Sequence, residues 1–342
     1  MSKPLGVGLL GAGPVTQAIH LPTLATLGDR LRVTHVMDVA SDLAATVAAR
    51  AGARHSSTVE ELLADDAVDV VAICSPHAFH ADQVTAAVAA GKRGILCEKP
   101  LATTKVEAER IAQAAGEGGV PVVVGAMHAY DPAWIAVREE WGDLPERAHL
   151  VRSRIYLPGN DEFVALAADP AFPAPPPPAG PRPTAADRLR AGILGLATHA
   201  VPQLRHFLPG PVRVVSAQTM TPFGYRLVLT GDDGRTAELV ALMPGAWEPD
   251  WTFEAWAPGA RLHMTYPPSY VLAGSATATL TDVSGDRCWR FPANGYQVEW
   301  LHLADVVDGH AEPLIGLPIA IADMLYALEA ADGAASLLED QA

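Results

Sequence analysis

Cysteine is scarce in this 342-residue chain, which holds only Cys74, Cys97 and Cys288. Three thiols cannot all pair, and their spacing builds no zinc site, so a reduced, cytoplasmic setting is expected in place of a disulfide framework. Long hydrophobic runs are missing too. No segment approaches the roughly 20 consecutive apolar residues that a membrane helix needs. The opening "MSKPLGVGLLGAGPV" imitates a signal peptide only briefly: its apolar run of about seven residues breaks into a glycine turn and reads as a first strand. Positive charge is in short supply as well. With 24 basic against 39 acidic residues the formal charge is −15, which argues against nucleic-acid or anionic-membrane surfaces because phosphates would be repelled. No internal repeat is visible. His77 and His80 have neither a third ligand nor an H-E-x-x-H partner, so no metal is expected.

What is present describes a globular protein, 49% hydrophobic and 18% charged, and long enough for two domains. Short apolar runs at Leu5–Leu10, Arg32–Asp38, Val68–Cys74, Gly94–Cys97 and Val120–Gly125 lack polar alternation. Helical stretches near 15–27, 41–51, 58–64, 79–90 and 103–116 separate them. That combination predicts a parallel sheet covered on both faces. A helix over Pro132–Trp141 and a strand near 148–157 follow. "DPAFPAPPPPAGPRP", residues 169–183, can be neither helix nor central strand and is expected to be a surface loop. A helical run over about 184–207 precedes strand-like runs near 212–220, 224–230, 236–243, 251–257, 260–266, 276–282 and 287–291, which predict an antiparallel sheet. Helices near 296–308 and 317–331 complete the pattern. The fold class is therefore α/β: a doubly wound parallel sheet, expected over 1–128, and an α+β domain with a largely antiparallel open sheet, expected over 129–342. The C-terminal helices are expected to pack back on the first domain.

"GLLGAGPVTQAIHLP" places Gly11, Gly13 and Thr16 where a dinucleotide fingerprint reads G-x-G-x-x-G/A. The glycines allow a tight turn and a close approach of the Gly11–Val15 backbone, Pro14 included, to a pyrophosphate at a helix N-terminus. Thr16 departs from the small third residue. "THVMD" ends the next strand on Asp38, whose carboxylate can accept from both ribose hydroxyls and repels a 2′-phosphate. NAD is thus favoured, with NADP as the alternative. "GILCEKPLATT" runs a buried strand into Glu98, Lys99 and Pro100, at the sheet edge where such folds bind ligands. Proline after lysine fixes the chain direction, in the cis form or the trans, and aims Lys99 away from the sheet. A lysine beside a nicotinamide's positive ring should have a lowered pKa and suits proton exchange with a hydroxyl or ketone.

"GAGPVTQAIHLP", "CSPHAFHADQVTAAVAAGK" and "CEKPLATT" occur in the order and spacing of the glucose–fructose oxidoreductase / inositol dehydrogenase / MocA (Gfo/Idh/MocA) family. The resemblance is specific over residues 5–135 and continues in layout to about 335. It implies a Rossmann domain followed by a substrate domain whose outer sheet face makes the oligomer contact, giving a homodimer or homotetramer. It also implies nicotinamide-dependent oxidation or reduction of sugars, cyclitols or their derivatives. Lys99 then falls on the catalytic or substrate-orienting lysine. Glu98 and residues 74–80, with Ser75 and His80, fall beside the nicotinamide ribose.

The match breaks in "GILGLATHAVPQLRHF", where the family carries D-x-x-x-H. His199 holds the histidine position and Gly195 the aspartate position. Pro202 would leave the Thr198 carbonyl without its helical partner, free to bind substrate or water. Catalysis then rests on Lys99 and His199 alone, or a residue such as Tyr130, Asp131, Arg154 or Tyr156 replaces the aspartate, or redox activity is lost while nucleotide binding persists. "GAMHAYDPAW" reads His128 and Ala129 where relatives carry arginines, which favours a neutral hydroxylated ligand. Substrate contacts are expected from Lys99, His128, Tyr130, Arg154, Tyr156, Thr198 and His199. The main expectation is hydride transfer between NAD(H) and a polyhydroxylated compound. Redox-neutral elimination, epimerisation or glycoside cleavage, and a non-catalytic NAD sensor, are the alternatives.

Overall fold

Runs of Val, Ile and Leu without polar alternation become strands shielded on both faces: every residue of β1 (Leu5–Leu10) is buried. In this computed structural model residues 3–158, 183–243, 250–268 and 271–340 are described. β1 joins β2 (Leu31–Met37), β3 (Arg54–Ser56), β4 (Val70–Ile73), β5 (Gly94–Glu98) and β6 (Val122–Gly125) in a six-stranded sheet of order β3-β2-β1-β4-β5-β6. All its pairings are parallel. Parallel neighbours require crossovers, and helices Ser41–Ala51, Val59–Leu63, His80–Ala89 and Lys105–Gly118 supply them. The last starts on a capping box, Thr104 with Glu107, and stops at Gly119 in the left-handed region.

The second sheet has eight strands: β7 (Leu150–Tyr156), β8 (Val212–Met220), β9 (Phe223–Gly231), β10 (Thr236–Met243), β11 (Asp250–Ala257), β12 (Ala260–Tyr266), β13 (Thr277–Asp282) and β14 (Gly285–Trp289). Its order is β14-β13-β12-β11-β7-β10-β9-β8, antiparallel except where β7 lies parallel to β10. Alternation sets its two faces. Val151, Ser153 and Ile155 of β7 are buried while Arg152 and Arg154 are exposed. Trp134, on helix Pro132–Glu140, meets Trp141 and Phe253 edge-on beneath the buried face.

The chain divides into two compact units. One takes the described residues up to Ala126 and Tyr296–Ala322; the other takes those from Met127 to Gly295 and from Asp323 onward. In the first, helix Gly295–Val307 comes back onto the parallel sheet. A Cβ on Gly94 of β5 would lie 2.5 Å from Val307 Cγ2, so only glycine permits that approach.

The fold class agrees with the sequence. Three local features differ or sharpen it. β3 was not anticipated, and the first helical stretch carries a π-helical segment over Thr16–His20. The run expected over 184–207 is helix Ala185–Leu196, a tightened turn Ala197–His199 and a short helix Val201–Leu204. Pro202 has no N–H to give the Thr198 carbonyl, so the α-helical ladder stops there and restarts with proline in its first turn. Except for Pro183, the 169–183 segment lies outside the described residues.

Candidate active site

Gly11 follows β1 with φ 99° and donates its N–H to the Met37 carbonyl. A Cβ there would stand 2.8 Å from the Cys74 carbonyl oxygen. The next helix opens at Pro14, its first backbone bond running from Gln17 N–H to the Gly13 carbonyl at 3.1 Å. Gly13 thus sits at the cap with no side chain to satisfy the first amides, and a Cβ there would meet nothing within 4 Å. Val15 is 37% exposed beside it. Thr16, the departure from the fingerprint, is buried and donates its hydroxyl to the Gly11 carbonyl at 2.6 Å, closing the loop on itself. Asp38 Oδ2 accepts from Ala12 N–H at 2.8 Å and Oδ1 from Ala40 N–H at 3.0 Å. Each oxygen keeps a lone pair. An uncapped helix start facing a carboxylate-ended second strand fits a dinucleotide.

The ends of β4 and β5 supply the rest of this unit's site. The Ser75 hydroxyl donates to Gln83 Oε1 at 2.6 Å. His80 is fully buried, with Nδ1 2.9 Å from the Pro100 carbonyl and Nε2 3.0 Å from the Ser75 carbonyl. Expected at the cofactor, His80 has no ring nitrogen left for one; it ties the β4 loop to the Pro100 turn. The Lys99–Pro100 bond is cis. Burial pushes the Lys99 ammonium below its usual value, and the Glu98 carboxylate partly offsets this. Glu98 resists burial and stays acidic through His20, whose Nε2 lies 3.0 Å from Oε1, and through the Lys99 N–H on Oε2 at 3.1 Å. The Glu98 carboxylate lies over Gly125, where any Cβ would come within 3.2 Å of it. His77 is pushed down to about 4 by burial, then by His80 and Lys99.

In the second unit, His128 stacks on Tyr266 with ring centroids 3.8 Å apart and planes 19° apart. Trp251 meets His128 edge-on at 4.6 Å and His199 at 5.1 Å. Tyr266 donates its hydroxyl to Gln203 Oε1 at 2.8 Å. Burial pushes His128 down to about 3 against a backbone hydrogen bond to His199, so the imidazole is neutral. Its Nδ1 has no partner among the described residues. Among the described residues, a Cβ on Gly195 would meet nothing within 4 Å.

Residues 5–126 match the family model described as an oxidoreductase family with an NAD-binding Rossmann fold, Gfo/Idh/MocA. Over that span the chain is similar to the Gfo/Idh/MocA oxidoreductases. It is 42% identical over 138 residues to an inositol 2-dehydrogenase of Cereibacter sphaeroides, covering 40% of each chain. With an inositol 2-dehydrogenase of Acidothermus cellulolyticus it shares 38% over 173 residues, 49% of this chain and 50% of the relative. The chain thus spans half or less of the length of these curated relatives. Among solved structures, a 3-ketoreductase from Actinomadura kijaniata in complex with NADP and TDP-benzene superposes with TM-score 0.71 and 21% identity, over 94% of this chain and 95% of that one. A UDP-N-acetylglucosamine 3-dehydrogenase from Acidithiobacillus ferrooxidans gives 0.73 at 19% identity, over 98% and 99%. At such identities these two establish the shared fold.

For the Gfo/Idh/MocA reading, three expected substrate contacts (Tyr130, Arg154 and Tyr156) and one expected carboxylate replacement (Asp131) are placed otherwise. Tyr130 is fully buried in its unit. Arg154 and Tyr156 face away from the aromatic cluster: Ile155 pairs with Trp251 and Trp251 with Tyr266, so those three share a face, while Arg154 and Tyr156 point to the other. There Arg154 pairs with Asp250 at 2.8 Å. Asp131 caps helix Pro132–Glu140 through Ala133 and Trp134 N–H and also accepts from Ala276 N–H, leaving it no reach as a replacement carboxylate. Thr198 turns its hydroxyl back to the Leu194 carbonyl at 2.9 Å. What the sequence reading missed is a pair behind Glu98: His20 and Trp300, both fully buried. Their separation along the chain gives no local signal. Among the described residues no three-ligand metal cluster forms.

Proposed function

We propose that this chain is an oxidoreductase of CH–OH groups, moving hydride between NAD(H) and a hydroxyl or ketone of a sugar, cyclitol or related polyhydroxylated compound. The observation that carries the reading is Lys99, at the carboxyl edge of the parallel sheet, with an ammonium held below its usual value by burial. Such an amine gives up its proton more readily than a solvated lysine, which suits proton exchange with a hydroxyl. Lys99 Nζ takes the hydroxyl proton during oxidation and returns it to the oxygen during reduction. His199 is the second proton-handling group. A bound nicotinamide supplies the hydride acceptor or donor. Gly11, Gly13, Pro14 and Val15 hold its pyrophosphate, and Ser75 and Glu98 flank its nicotinamide ribose. Asp38 takes the adenine-side ribose hydroxyls on its remaining lone pairs and repels a 2′-phosphate, so NAD is preferred to NADP.

The inositol 2-dehydrogenases among the relatives support a cyclitol-like substrate, and the ketoreductase and sugar dehydrogenase of similar fold support a sugar-like one. His128 and Ala129 in place of cations favour a neutral compound. The exposed sheet face bearing Arg152 and Arg154 is read as the contact of a homodimer or homotetramer, in a cytoplasmic protein. No described helix is long and apolar enough to cross a membrane.

The test follows nicotinamide absorbance for wild type and Lys99→Met against free sugars, cyclitols, glycosides and nucleotide sugars, each with NAD and NADP. A signal that Lys99→Met lowers by about 10²-fold or more supports the reading. A wild type that binds NAD yet shows no absorbance change over the whole panel overturns it in favour of redox-neutral chemistry or sensing.

A further inference from the structure

Behind Glu98 the parallel-sheet unit builds a buried chain of hydrogen bonds from residues far apart in sequence. Trp300, on helix Gly295–Val307, donates its indole N–H to His20 Nδ1 at 3.1 Å. His20 Nε2 lies 3.0 Å from Glu98 Oε1, and Glu98 Oε2 accepts the Lys99 backbone N–H at 3.1 Å. His20 and Trp300 are both fully buried, and their rings meet edge-on. An indole N–H can only donate, so Nδ1 must present its lone pair, and the ring's one proton must sit on Nε2, aimed at Glu98.

We propose that Trp300 locks His20 as the neutral Nε2–H tautomer, so that Glu98 remains an uncompensated carboxylate and sets the ionisation of Lys99. Trp300 and His20 are then positioning residues for the proton transfer, and the proposal rests on the role read above for Lys99. The electrostatic logic is direct. Burial opposes a charge on His20, but Cys74 and Glu98 outweigh it and hold the imidazole well above its usual value, so on charge alone the ring would take a second proton. The Trp300 N–H occupies the place where that proton would go. Were His20 an imidazolium, it would cancel much of the negative charge that Lys99 feels from Glu98, and the lysine would lose its proton at lower pH.

His20 is faced by Glu98, Cys74, Trp300, the Tyr296 ring and Glu299. Glu299 precedes Trp300, is fully buried, and has neither carboxyl oxygen hydrogen-bonded among the described residues. Burial and the Glu98 charge push its acid well up, so it adds no second negative charge. Among the described residues, Glu98 and His77 face Lys99, and His77 is neutral at working pH.

The experiment has two readouts that need no substrate. Nitrogen-15 NMR of His20 in the cofactor-free protein should show Nδ1 unprotonated between about pH 5 and 8 in wild type, and a ring that takes a second proton in Trp300→Phe. Titration of carbon-13-methylated Lys99 should move to lower pH in Trp300→Phe by about one unit. The limb of kcat/KM that Lys99 controls in the oxidation direction should follow it. His20→Gln is the companion variant: its amide can donate to Glu98 yet takes no charge, so Lys99 should titrate as in wild type. Two protons on the wild-type His20 ring would overturn the lock. A Lys99 titration that moves in His20→Gln as far as in Trp300→Phe would overturn the electrostatic link. A protein that meets both NMR expectations but oxidises nothing would instead defeat the functional reading and leave the lock standing.

Discussion

A methyl group at Gly11 would sit 2.8 Å from the Cys74 carbonyl oxygen, in a residue whose φ of 99° disfavours any side chain. Both penalties fall on the loop that holds the Gly13 cap and the Ala12 N–H donated to Asp38. Gly11→Ala should therefore lose on the order of 2 kcal/mol of stability and most NAD binding, read by urea unfolding and by calorimetric titration with NAD. Gly195 makes the opposite case. Its added Cβ meets nothing within 4 Å, so Gly195→Asp should fold with a melting temperature within about 2 °C of wild type. Aggregation or a large melting shift in Gly195→Asp would show that the space is needed. The two glycines look alike in the sequence and differ because one is wedged between strand ends and the other has no described atom near its added Cβ.

Among the elements, helix Lys105–Gly118 links β5 to β6 immediately after the Lys99–Pro100 turn and starts on a reciprocal cap. Thr104 Oγ1 accepts the Glu107 N–H at 3.2 Å while Glu107 Oε2 accepts the Thr104 N–H at 3.0 Å. Thr104→Ala should lower stability by about 1 kcal/mol, seen as a lower urea midpoint at unchanged slope, and Thr104→Ser should stay near wild type. Equal losses in the two would mean that the hydroxyl is not what holds the helix start. Elements of this kind were legible in the sequence because their signals are local: apolar runs gave β1, β2, β4, β5 and β6, consecutive strand-like runs without helices between them gave β8 to β14, and Pro202 marked the break before Val201–Leu204. β3 was not legible, since a strand of three residues with only Ser56 buried carries no pattern. The facing of β7 escaped for a different reason. Alternation separates Arg154 and Tyr156 from Val151 and Ile155, but only the register with β11 and β12 reveals which side His128 and His199 occupy. His20 and Trp300 lie 280 positions apart, and topology alone brings them together.

At the scale of the whole molecule, 39 acidic against 24 basic residues leave a charge of −15, and a few imidazoles held below their usual values add an acid sensitivity of their own. His128 is held down to about 3 and His206 to about 4, each by burial first, with Arg138 and Arg205 adding to the second. His77 is likewise held at about 4. The unfolded chain takes up these protons near pH 6.5, before the folded protein does. Their contribution to stability is therefore full above about 6.5 and is lost as pH falls toward 4. Asp131, pushed up to about 6 by burial, works in the opposite sense: the folded state binds its proton first, so its contribution is present at low pH and lost as pH rises through about 6. Single substitutions separate these opposed terms. His206 packs edge-on against Trp134 and Trp141 at 5.5 and 5.7 Å, so His206→Phe keeps an aromatic ring there and removes the titration. Between pH 6.5 and 4.5 the urea stability of His206→Phe should fall less steeply than wild type, by up to about one proton's worth of slope. Asp131→Asn, although less stable overall through the lost Ala276 contact, should fall more steeply than wild type over the same range. Curves for either variant that run parallel to wild type would mean that the group does not titrate differently in the folded and unfolded states.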